Sequence, residues 1–394
     1  MVANTDKEHI GSNAMPTGIK AIPSAVRSAV IYGPNASGKS NLIEALAYMR
    51  AVVYESATLI KPGQEFNAQR FRLDKDCLDE PIEFEITYIE NGVRHQYGFT
   101  FTKTRIISEW LLVYISPKPQ KWFSRHYDNE AEKDVYKLGA SLSKGKNSWK
   151  DATRSNALFL STASQLNSEM LTPIFDWITN KLVIFGAGFT PNIDHTMKFM
   201  SSADNTKTVQ DFLTSADIRI ADLKVEKRKG VHKTIHFDPT KSAPTEETEE
   251  REIDIPIFIH EGSNGSLIPF ELQDESLGTQ RLFSLAGPVL EILKKDRILI
   301  IDELDNSLHT LLVRKMITLF HSTEENLSTS QLIFSTHDTN LLDLELFRRD
   351  QVWFVEKDLS NATNLYPLTE FSPRKKEALE RGYLMGRFGA VPFF

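Results

Sequence analysis

The chain has one cysteine, Cys77, in 394 residues. A lone thiol closes no internal disulfide and builds no four-cysteine zinc site, so the fold must rest on a packed core, and the composition suits a reducing compartment. Excess positive charge is missing too: 46 Lys and Arg stand against 53 Asp and Glu, a formal net charge of -7. Bulk electrostatics therefore oppose contact with a polyanion, and DNA binding would need a local basic groove. No apolar run approaches the roughly 20 residues that cross a bilayer, and the polar segment 1–20 does not read as a signal sequence. The expectation is a cytoplasmic chain with no membrane contact of its own. Internal repeats and coiled-coil heptads are also absent. What is present is 41% hydrophobic content, enough for one large or two ordinary domains with real cores.

A short apolar run at 28–32 leads into a glycine-bearing turn, and an apolar-periodic stretch follows at 41–53. That order reads strand, loop, helix. Ile82, Phe84, Ile86 and Tyr88 alternate with polar residues, Asn91-Gly92 intervenes, and Val93, His95, Tyr97, Phe99 and Phe101 alternate again. This pattern predicts a β-hairpin with a type I′ turn, and 106–115 adds a further antiparallel strand. The texture of 151–182 is helical. Around 241–250 the chain turns rich in Pro, Thr and Glu, with Glu246, Glu247, Glu249 and Glu250 close together, and reads as a mobile surface loop. Beyond it a helix is expected at 278–295, a strand at 297–302, a helix at 308–320, and strands at 331–336 and 351–356. Strands alternating with helices imply a largely parallel sheet. No strand is evident ahead of residue 28.

Gly33, Pro34, Asn35, Ala36, Ser37, Gly38, Lys39 and Ser40 match G-x-x-x-x-G-K-[ST], with a strand before and a helix after. Glycines let the backbone curl so that amide N–H groups and the helix N-terminus face a polyphosphate; Lys39 then reaches the β/γ-phosphates and Ser40 holds Mg²⁺. Ile298 to Ile301 followed by Asp302-Glu303 is a buried strand that delivers two carboxylates to its C-terminal end, where α/β proteins bind ligands. Asp302 would assist Mg²⁺, and Glu303 would orient and deprotonate the attacking water. Taken alone, such a strand may equally be one that simply exits to solvent. His337 ends the next strand and is placed to meet the γ-phosphate or the water, although a lone histidine is more often structural. Ser276 reads as the N-cap of a helix, with Gly278 permitting close approach of an anion. The basic residues Lys224, Lys227, Arg228, Lys229 and Lys233 fit the solvated edge of a hairpin better than a nucleic-acid groove.

In this order the segments resemble the heads of ABC and SMC-type ATPases. Gly33 to Asn41 is similar to their phosphate loop, 275–281 to their signature motif, with Ser276, Gly278 and Thr279, and 305–309 to their D-loop, with Asp305. More narrowly, 275–281, 335–342, 349–354 and 383–392 resemble ABC-like AAA ATPases of bacterial phage-defence and abortive-infection systems, related to overcoming-lysogenization-defect proteins but without their TOPRIM nuclease. The 383–392 segment has a blander reading too, as a cap on the sheet. Thr279 stands where transporters carry glycine, and 237 residues separate Lys39 from Ser276; both speak against a transport ATPase. Gln64 and Gln69 both fit a Q-loop glutamine and fit a plain surface residue equally, so neither is assigned to the site.

The resemblance implies an α/β P-loop head with a mixed sheet, an antiparallel β subdomain and a helical insertion. It implies an N-terminal ATPase lobe at 1–120, a mostly helical insertion at 121–255 and a C-terminal lobe at 256–394. ATP and Mg²⁺ are the implied cofactors. Each signature would complete the site of another subunit, giving a head-to-tail ATP-sandwich dimer, with a higher oligomer left open. The activity implied is ATP hydrolysis that switches a separately encoded effector, a nuclease or toxin, in anti-phage defence. The alternative is a DNA-repair or chromosome-associated head, SMC- or RecF-like, that binds DNA directly, and nucleic-acid contact stays open between the two.

Overall fold

The computed structural model describes the chain except for residues 143–144, 190–191, 237–244, 372, 374–377 and 392–394, and except for the side chains of 231–251. It divides into two compact units. One comprises Met1–Gly188, Lys295–Leu304 and Ile317–Phe394; the other comprises Phe189–Lys294 and Asp305–Met316.

The first unit is built on a six-stranded sheet ordered Thr363–Pro367, Val352–Lys357, Ser28–Tyr32, Gln331–Ser335, Ile298–Ile301 and Leu182–Phe185. All neighbours run parallel except the antiparallel edge strand Thr363–Pro367. Ser28–Tyr32 is buried at all five positions, which is why it reads as an unbroken apolar run rather than an alternation. Beneath this strand lies His321, whose Nε2 is 2.8 Å from Ser28 Oγ and 3.3 Å from Gln351 Nε2. Burial pushes its pKa down to about 3, so the ring is held neutral.

The second sheet of this unit is an antiparallel meander of Ile82–Glu90, Val93–Phe101, Ile106–Tyr114, Gln120–Asp128 and Lys133–Leu138. Its first turn has positive φ at both Asn91 (50°) and Gly92 (72°), as the expected type I′ geometry demands. Tyr97, Phe99, Phe101, Leu111 and Phe123 from the meander share one core with Ile43, Met49, Val52 and Val53 of the helix Lys39–Glu55. Packing of its apolar stripe fixes that helix against the sheet. A buried polar knot joins the meander to the helix Phe159–Gln165: Glu109 accepts the backbone N–H groups of Phe159 (2.6 Å) and Leu160 (3.0 Å) and the hydroxyl of Tyr97 (3.0 Å). The carboxylate satisfies amides that open a helix and have no intrahelical acceptor, while desolvation raises its pKa.

The second unit contains the helices Ile193–Phe199 and Ala203–Ser215, most of the helix Leu277–Lys295, and a three-stranded antiparallel sheet of Asp222–His236, Thr245–Glu261 and Leu267–Glu271. No helix among the described residues is long and apolar enough to cross a membrane.

Three expectations are corrected. An antiparallel pair, Ala14–Ile19 with Ile22–Val26, does precede residue 28; Pro16 and Pro23 interrupt both segments and weaken their strand signal. The segment 121–255 is not mostly helical, since it holds two meander strands, the sheet strand Leu182–Phe185 and a long hairpin beside its helices. The acidic run is likewise no loop from 245 onward, because Glu246, Glu247, Glu249 and Glu250 lie in a strand whose register runs from Asp222↔Ile259 to His236↔Thr245. Backbone pairing propagates along this ribbon from a base anchored by buried Leu223 and Phe258, so apolar content at its tip is not needed. Residues 241–244 of the expected loop lie outside the described residues. The basic cluster does occupy the hairpin edge: Lys224 pairs with Asp222, Lys227 with Glu252, and Arg228 with Glu226 and Glu271.

Candidate functional site

Three parallel strands of the first unit end at one edge of the sheet. The strand Ser28–Tyr32 runs directly into Gly33, Gln331–Ser335 runs toward His337, and Ile298–Ile301 runs into Asp302 and Glu303. With strands about 4.8 Å apart, the carboxylates stand two strands, about 10 Å, from the start of the glycine loop. Ligands of open α/β sheets bind at such carboxyl ends.

The loop's shape follows from its residues. Gly38 has φ 109°, and a Cβ there would lie 2.2 Å from Thr363 Oγ1; a Cβ at Gly33 would lie 2.4 Å from the carbonyl oxygen of Val355. Neither position admits a side chain. Ala36 adopts φ 62°, and the Ser37 N–H closes a turn onto the Pro34 carbonyl at 3.3 Å. Lys39, only 5% exposed, lays its ammonium across the loop, donating to the carbonyls of Gly33 (2.7 Å) and Pro34 (3.0 Å). The helix Lys39–Glu55 starts at Gly38 with no side-chain cap, so its first turn offers an anion backbone donors and the positive end of the helix dipole. Ser40 and Asn41 stand in that first turn. Asn35 is exposed, and Ser37 Oγ is buried with no hydrogen-bond partner among the described residues.

Asp302 is 3% exposed. Its Oδ1 accepts the Ser335 hydroxyl, while its Oδ2 is buried with no partner among the described residues. An unpaired buried carboxylate oxygen costs of order 1–3 kcal/mol or more, and a hard divalent cation would satisfy it through oxygen coordination. The donor set therefore fits Mg²⁺, with Asp302 and Ser40 as the residues that would hold it. Glu303 adopts a left-handed backbone, φ 50°, at a cost of about 1 kcal/mol. Two bonds to one residue hold it there: the Glu303 N–H donates to Ser335 Oγ at 2.8 Å, and the Leu304 N–H donates to the Ser335 carbonyl at 3.1 Å. This turn swings the Glu303 side chain to within 3.9 Å of His337, Oε1 to Nε2. Both side chains are about two-fifths exposed, and one water can lie within hydrogen-bond reach of both.

Ser335 was not singled out as a site residue from the sequence. The signal lay in the register, because Ile301 pairs with Phe334, which sets Asp302 beside Ser335 once the strands are recognised as neighbours. The loop His337 to Leu341 is fastened from below by Tyr32, whose hydroxyl donates to the Asp338 carbonyl at 3.1 Å. The C-terminal segment lies against the strand Val352–Lys357: Tyr383 and Phe388 stack on Phe354 at centroid distances of 5.5 and 5.9 Å. Pro392 lies outside the described residues. Gln64 is exposed, and its Oε1 accepts the Lys61 N–H at 2.9 Å; Gln69 is exposed as well.

The second unit carries the other candidate residues. Ser276 Oγ accepts the Thr279 N–H at 3.1 Å and lies 2.9 Å from Thr279 Oγ1. This is the N-cap geometry of the helix Leu277–Lys295. Gly278 backs onto the segment after Asp305, where a Cβ would meet the Ser307 carbonyl at 3.4 Å. Glu275 is held by His260, Oε1 to Nε2 at 2.6 Å. Ser276 is exposed, and Leu277 beside it is 75% exposed.

A glycine loop feeding a helix, with a carboxylate pair two strands away in the same sheet, is the arrangement of a P-loop fold of the AAA type. The chain belongs to the family described as "AAA domain, putative AbiEii toxin, Type IV TA system", whose model matches residues 28–343. No curated protein matches it. Among solved structures it is similar to an SMC head bound to the C-winged helix domain of ScpA, at 13% identity over 86% of this chain and 89% of that one, TM-score 0.36. It is also similar to the SMC head domain from Thermotoga maritima, at 12% identity over 87% and 92%, with the same TM-score of 0.36.

Proposed function

We propose that this protein binds and hydrolyses ATP between two copies of itself and uses the nucleotide to switch a separate effector in bacterial anti-phage defence. The observation that carries the hydrolytic part is the cluster at the sheet edge: Asp302 with one orphaned oxygen beside Glu303 and His337, 3.9 Å apart. The loop Gly33 to Asn41 binds the phosphates through its amides, and Lys39 supplies the positive charge. Asp302 and Ser40 would hold Mg²⁺, which would neutralise charge on the phosphates. Glu303 takes the proton of the attacking water, and His337 orients that water or steadies the terminal phosphate.

Dimerisation is supported by the exposed signature. Ser276 and Leu277 are open to solvent at a capped helix start, and an exposed apolar side chain beside an anion-binding element is what a nucleotide-bridged interface would cover. In this reading Ser276, Gly278, Thr279 and Asp305 of one chain meet the triphosphate held by Lys39 of the other. Nucleotide cleavage then removes the shared contact, and the pair loosens. The defence role draws on the family's printed association with toxin–antitoxin systems, and the effector is of nuclease or toxin type.

The test is affinity capture with Glu303→Gln, which should retain ATP and stay dimeric. A nuclease or toxin that co-purifies with it in ATP, and is released by the parent after hydrolysis, is the expected outcome. Tight, salt-sensitive binding of duplex DNA by the same variant, with no protein effector, would instead support a chromosome-associated head.

A further inference from the structure

Thr363 opens the edge strand Thr363–Pro367, on the opposite side of the phosphate-loop strand from Asp302. Its hydroxyl donates to the carbonyl oxygen of Ser37 at 3.0 Å, although 326 positions separate the two in sequence. The Ser37–Gly38 peptide is trans, since the chain has no cis bonds among its described residues. In a planar trans peptide the C=O and the following N–H point in opposite directions. Holding the Ser37 carbonyl toward Thr363 therefore turns the Gly38 N–H the other way, away from the edge strand. A Cβ on Gly38 would also meet Thr363 Cγ2 at 2.8 Å, so the same side chain sets the space in which this peptide lies. Gly38 at φ 109° has wide conformational freedom, and a hydrogen bond on its preceding carbonyl removes the alternative in which the peptide plane rotates.

We propose that Thr363 is a positioning residue for the nucleotide: by fixing the Ser37–Gly38 peptide plane it aims the Gly38 N–H at a phosphate of the bound triphosphate. The proposal rests on the nucleotide-binding reading of the loop. It concerns a residue from the far end of the chain, on a strand that contributes no charged group to the site. Preorganisation of this kind lowers the cost of ordering the loop when the ligand arrives. Its signature is in binding rather than in the chemical step, because the oriented amide contacts phosphate in the ground state and the transition state alike.

The experiment compares Thr363→Val, which keeps shape and loses the donor, with Thr363→Ser, which keeps the donor, in the full-length protein. A fluorescent ATP analogue gives the dissociation constant, and steady-state hydrolysis gives KM and kcat. Thr363→Val should weaken nucleotide binding and raise KM by about tenfold with kcat changed less than about twofold, the loss of one oriented hydrogen bond. Thr363→Ser should stay near the parent in both. Equal affinities for Val and parent, or equal losses in Val and Ser, overturn the assignment. Lys39→Ala separates this from failure of the underlying reading. If Lys39→Ala loses nucleotide while Thr363→Val does not, only the Thr363 role falls; if Lys39→Ala binds nucleotide as the parent does, the loop itself has been misassigned.

Discussion

The two sets of candidate residues differ in how complete they are. In the first unit Lys39 and Asp302 are 5% and 3% exposed, the loop is braced by Thr363, and Glu303 is held in a strained turn by Ser335. In the second unit Ser276 is exposed and Leu277 is 75% exposed, at a helix start ordered by the Thr279 cap and by His260 and Gln280 on Glu275. One half is assembled within the chain, and the other is presented to solvent. Under the proposed function, that difference locates the specificity of assembly: the internal half would bind the nucleotide, and the external half would meet a nucleotide held by another molecule.

Substitutions can break this contrast. The largest expected effect is at Glu303, the group proposed to take the proton of the attacking water. Glu303→Gln should slow turnover by roughly 10²- to 10⁴-fold with ATP still bound, and turnover at the parental rate would remove Glu303 from its role. Ser276→Arg should reduce turnover to a comparable degree while a monomer still binds nucleotide as tightly as the parent, measured by titration of a fluorescent analogue. Weakened binding in that variant would place Ser276 in the internal half after all.

Smaller effects sharpen the internal half. Ser335→Ala removes the hydroxyl that bonds Asp302 and accepts the Glu303 N–H, and should lower kcat by about tenfold or more, as expected when two orienting bonds behind catalytic groups are lost. An unchanged kcat would mean that the strained turn at Glu303 holds itself. His321 gives the smallest and most specific signal. Its folded pKa of about 3 lies below the ordinary value of 6.5, so the unfolded chain takes up a proton that the folded chain refuses. Stability from this group is therefore level above about pH 6.5 and falls as the pH drops from there toward 3, by at most about 1.4 kcal/mol per pH unit. Urea midpoints of the parent between pH 7 and 5 should carry this slope, and His321→Gln should lose it.

Much of the internal half was legible in the sequence because its chemistry is local. The motif from Gly33 to Ser40 and the run ending in Asp302-Glu303 are contiguous, and a buried parallel strand announces itself by unbroken hydrophobicity. The hairpin around Asn91-Gly92 was equally plain, since one dipeptide fixes its turn type. What escaped was non-local. Ser335 and Thr363 matter only through register and sheet order, which no window of sequence contains. The strand pair before residue 28 was hidden by its prolines, and the strand at 245–261 by charges that a paired ribbon tolerates but a packed core would not.

Catalysis shared between two chains is measured directly by complementation. Lys39→Ala and Ser276→Arg, each inactive alone, are mixed in equal amounts and assayed for ATP hydrolysis. Half of the dimers are then mixed, and each of these carries one intact composite site, so about a quarter of the parental rate should return. A mixture no more active than its separate components would contradict a site built from two molecules.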